Sequence, residues 1–205
     1  MNQISESEAR QIMGKNIIGR EEIAKVQSVN FRPGDFRLKI QYSREELEKR
    51  KNEYILIMGV SQFEDGTPVT IRNLKKKVGM NPNISEPCFY NQDWYDKENF
   101  IDIPIKDEWF LIRKEVYENS RSIQPFELKE KYRFPSAIRC TYAFFIAWYT
   151  LGIKLWCHDF VWCSDTDHNG DRVYVGKYHD IDGVNKNGFS IHRHLALRHC
   201  YGCID

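Results

Sequence analysis

The sequence predicts an α+β domain on three observations. Residues 135–149 form one long stretch with apolar residues on nearly every face, which reads as a buried helix. Before it lie two runs of strand length, residues 54–60 (YILIMGV) and 109–116 (WFLIRKEV). After it, residues 160–165 (FVWCSD) and 172–178 (RVYVGKY) alternate as half-buried strands do, around the turn-rich residues 166–171. A helix followed by several strands, with no regular strand–helix alternation, argues against a βαβ array.

Taken in order, Ser5-x-x-Glu8 is a capping box, and Ala9, Ile12 and Met13 follow at helical spacing as far as Gly14. Ile17-Ile18-Gly19 reads as a bridge to a short helix over residues 20–26. Arg32-Pro33-Gly34-Asp35 reads as a turn joining an N-terminal helical extension to the main body. Ser43-x-x-Glu46 caps a further helix to about Asn52, so the expected division is an extension over 1–52 and a ligand-binding domain over 53–205.

The continuous apolar run at 54–60 reads as a central strand. Asp65-Gly66-Thr67-Pro68 turns the chain into an amphipathic helix over 70–79, whose Lys75-Lys76-Lys77 reads as a solvated face. Trp94, Tyr95 and Phe100 read as core aromatics. Pro135-Ser136 opens the long helix and Gly152 closes it. Trp162 is expected to pack against that helix.

Lys and Arg total 30 against 29 for Asp and Glu, a net charge of +1. That balance argues against nucleic acid as an obligatory partner. The apolar segment 140–153 is too short to span a bilayer and is bracketed by Arg139 and Lys154, so no membrane insertion is expected. No basic region precedes an apolar one at the start, and the expected location is cytoplasmic. Of the 6 cysteines only Cys200 and Cys203 are closely paired, so free thiols are expected.

The candidate chemistry is thin. Asp165-x-Asp167-x-Asn169-Gly170 begins like an EF-hand loop, but Arg172 and Gly176 stand where an apolar residue and a glutamate belong. His192, His194, His199, Cys200 and Cys203 offer zinc ligand types at a spacing that matches no standard finger. Cys157 and His158 are neighbours, yet neither a nucleophile elbow nor a Gly-rich phosphate loop is present. A small metal-dependent hydrolase or nuclease using the His/Cys cluster is the alternative reading. The preferred one is non-enzymatic, without cofactor.

The feature that favours binding is the tail. From Asn187 to Asp205 there is no Lys, Glu, Gln, Met or Trp, although Lys and Glu crowd the first 155 residues. Several pieces now fall into a familiar order. They are Trp109-Phe110-Leu111-Ile112-Arg113-Lys114, Pro135-Ser136-Ala137 with Tyr142, Thr150-Leu151-Gly152 with Leu155, and Trp162-x-Ser164-Asp165. Residues 170–176 (GDRVYVG), Gly183-Val184 and Leu195-Ala196-Leu197 complete it.

From about Tyr54 onward the chain resembles the variable proteins of diversity-generating retroelements. The resemblance implies a C-type lectin-like fold, phage or bacterial origin, and a hypervariable C-terminal surface that binds a protein or cell-surface ligand. In that family, template adenines are miscopied, mostly in AAC or AAT codons, which cannot become Lys, Glu, Gln, Met or Trp by adenine change alone. The tail contains only residues those changes reach. The resemblance implies that Trp156, Trp162, Asp165, Gly170, Arg172, Tyr174 and Gly176 are scaffold, with an Asp165–Arg172 type of carboxylate–guanidinium pairing. Lys177 and Lys186 would be fixed. The implied contact surface is Tyr178, His179, Asn185, Asn187, Phe189, Ser190, Ile191, His192, His194, His199, Cys200 and Tyr201, projecting outward from a scaffold that does not depend on them.

Overall fold

The computed structural model describes residues 4–32, 38–178, 188–193 and 197–205. It is an α+β domain built on two small sheets. The order is α1 (Glu6–Met13), β1 (Ile17–Ile18), α2 (Arg20–Ile23), α3 (Arg44–Arg50), β2 (Tyr54–Met58), α4 (Ile71–Val78) and β3 (Trp109–Arg113). Then come α5 (Pro125–Leu128), α6 (Ala137–Leu151), β4 (Phe160–Thr166), β5 (Arg172–Gly176), β6 (Ser190–His192) and β7 (Tyr201–Gly202).

The helix ends follow local chemistry. Ser5 and Ser43 accept from Glu8 N and Glu46 N, and both glutamates reach back to the cap amides, so both capping boxes form. Thr70 caps α4. At α6 the Ser136 hydroxyl accepts from Arg139 N, and Gly152 ends the helix at φ 68 in the left-handed region. Among the described residues no helix is long and apolar enough to cross a membrane.

One sheet runs β1-β2-β3, the other β6-β5-β4-β7. The run at 54–60 is indeed central: β2 pairs antiparallel with β3 and parallel with β1. Ile17 and Ile18 are therefore a strand, not merely a bridge into α2. The boundary expected at 52/53 is no break in packing either. Ile4, Ala9, Met13, Ile17 and Ile23 are buried in the same apolar core as α6. The expected joint at Pro33-Gly34-Asp35 lies outside the described residues.

α6 is the common wall of both sheets. Tyr142 donates to Met58 O in β2 at 3.0 Å. Phe144 packs on Tyr178 and Phe189 with centroids 5.9 and 4.5 Å away. The lysine run on α4 is not simply a solvated face. Lys75 donates to Gln92 O and Asp96 and lies over the Tyr95 ring, while Lys77 pairs with Asp65 over Phe63.

The pleat of β4 and β5 separates two cores. Val161, Cys163, Val173 and Val175 face the main core shared with α6. Phe160, Trp162 and Tyr174 face a second core with Tyr201, Cys203 and Leu128, flanked by Tyr132 and Phe134. Trp162 is thus buried as expected but on the opposite face from α6, because a strand covered on both sides gives no apolar–polar contrast to fix its register.

Candidate functional site

The tail that drew attention in the sequence is woven into the second sheet at both edges. β6 pairs antiparallel with β5, and β7 runs parallel beside β4. Gly188 leads into β6 at φ 154, with its Cα so close to Tyr90 that a Cβ would sit 2.4 Å from Tyr90 N. Phe189 then enters the rings of Phe89, Phe144 and Phe145. The outer edge of β6 is covered by side chains. Ile191 N donates to Gln92 Oε1 at 3.1 Å, and Trp94 Nε1 donates to Ile191 O at 2.8 Å.

Five expected contact residues are consequently interior. Tyr178, Phe189, Ser190, Ile191 and Tyr201 are 0%, 0%, 7%, 0% and 1% exposed. They supply the strand and ring contacts that close the sheet, so they belong to the scaffold and not to an outward surface. His192 and Cys200 are half-buried and His199 is exposed. His179, Asn185, Asn187 and His194 lie outside the described residues. Arg198, which the sequence did not single out, is exposed beside His192, His199 and Cys200, and Leu197, expected only as part of a family motif, is half-buried against the second core.

His192 sits over Tyr174, with centroids 6.0 Å apart, and edge-on to Phe160. Burial and the charge of Lys177 push its pKa down to about 4. Its neighbour Arg193, also passed over, is the tail's polar anchor. The guanidinium reaches Asp167 Oδ2 at 2.5 Å and Glu98 Oε1 at 3.3 Å, and lies 4.5 Å from the Trp94 ring centroid. His168 completes this network, its Nδ1 2.6 Å from Glu98 Oε1.

Glu98, Asp167 and His168 place ligand atoms within 4.8 Å of one another, the one group of metal-ligating types that does so among the described residues. Their oxygens are already engaged. Asp167 Oδ1 accepts from Asn169 N and Asp171 N, Oδ2 from Arg193, and Glu98 Oε2 from His168 N. Burial works to raise the Asp167 pKa. The Asp171 amide, Arg193 and the Asn169 amide outweigh it and hold the carboxyl below its usual value. The EF-hand-like start is therefore an Asx turn of the β4–β5 hairpin, closed by its own amides.

Asp165 does not pair with Arg172 through its oxygens as expected. Asp165 Oδ2 accepts from Ala137 N at 2.6 Å, at the start of α6, whereas Arg172 donates to Ser164 O at 2.6 Å. The carboxylate thus satisfies a helix N-terminus that would otherwise be buried without an acceptor.

The described His and Cys residues of the alternative zinc shell do not converge. Cys203 lies in the second core with its amide on Ser120 Oγ, while His199 is at the surface. Burial pushes the thiols of Cys157 and Cys203 up to about 11, which disfavours the thiolate that nucleophilic chemistry needs. Comparison with protein-family models, curated sequences and solved structures gave no match.

Proposed function

We propose that this chain is a non-enzymatic binding protein of the retroelement-variable type, with a C-type lectin-like fold and a protein or cell-surface ligand. The observation that carries the reading is the tail's residue set, which adenine miscopying of AAC or AAT codons reaches in full. The contact surface in this reading is narrower than the sequence alone suggested. It consists of His192, Arg198, His199 and Cys200, carried between the fixed points Phe189, Ile191, Arg193 and Tyr201. Arginine and imidazole side chains over a rigid sheet can anchor and adapt to a partner.

The test separates surface from scaffold. Replacing Arg198, His199 and Cys200 together with Asn, Tyr and Ser is expected to leave the melting curve close to the parent's, since such surface changes cost less than about 0.5 kcal/mol each. Phe189→Ala is expected to cost about 3–5 kcal/mol. Loss of cooperative unfolding in the triple variant would contradict the reading.

A further inference from the structure

We draw no further inference here: the strongest candidate, the side-chain cluster of Glu98, Asp167 and His168 beside the β4–β5 turn, belongs to the network already described, where Arg193, His168 and the turn amides take its carboxylate oxygens, and no second observation among the described residues points to a ligand there.

Discussion

Arg193, the residue after β6, reaches Asp167 of the β4–β5 turn at 2.5 Å, and through it the C-terminal tail is tied to the hairpin. Asp167 is 0% exposed at its side chain and Glu98 only 5%, so the guanidinium neutralises carboxylates that water cannot. Breaking such a pair by removing one partner is costly because a buried charge is left uncompensated.

Arg193→Ala is therefore expected to lose about 3–5 kcal/mol of stability in urea unfolding. Arg193→Lys should recover only part, since an ammonium cannot span Asp167 and Glu98 while stacking on Trp94. An alanine variant within about 0.5 kcal/mol of the parent would show the network to be solvated.

Chelator is expected to leave the melting temperature unchanged, because Asp167 spends its oxygens on Asn169, Asp171 and Arg193. A drop with chelator that calcium restores would mean that the turn holds an ion in place of this network.

The second core gives a register test. Trp162 lies 4.9 Å from Tyr174 and 5.9 Å from Tyr201 by ring centroids, and its Nε1 finds no acceptor among the described residues. Trp162→Ala should cost about 3–5 kcal/mol. In double-mutant cycles it should couple with Tyr201→Ala by at least about 0.5 kcal/mol and be additive with Phe144→Leu across the sheet. The opposite pattern would put Trp162 against α6.

These elements show what was legible. Helix ends were, because Ser5-x-x-Glu8, Ser43-x-x-Glu46, Ser136 and Gly152 state their capping chemistry locally. The hairpin was, because its turn residues lie together. The tail strands were not: β6 has 3 residues and β7 has 2, too few to show a period, and β7 joins β4 by a parallel pairing with no local signature. Phe189 and Ile191 looked like decoration because their partners Phe89, Gln92 and Trp94 lie about a hundred residues upstream in the chain. Arg193 offered one signal, a cation flanked by histidines, but not its acidic partners.

His192 makes stability depend on pH. Its folded pKa of about 4 lies below the unfolded value of about 6.5, so the unfolded chain binds the extra proton between them. The contribution is fully present above pH ~6.5 and is lost as pH falls toward ~4. Its size is on the order of 1–3 kcal/mol for a ring only partly out of water. His192→Phe should lose less stability than the parent between pH ~7 and ~4.5. Parallel losses would mean that the ring is charged in the fold.

The central claim is that an adenine-diversified surface rides on a fixed scaffold, and it is tested most directly by sequencing the DNA around the gene. The account predicts a reverse-transcriptase gene and a near-copy of the 3′ end, with adenines opposite the codons of Arg198, His199 and Cys200. At Phe189, Ile191 and Tyr201, all at most 1% exposed, the copy should match the gene. Absence of any such copy, or adenine substitutions concentrated at those three buried positions, would contradict it.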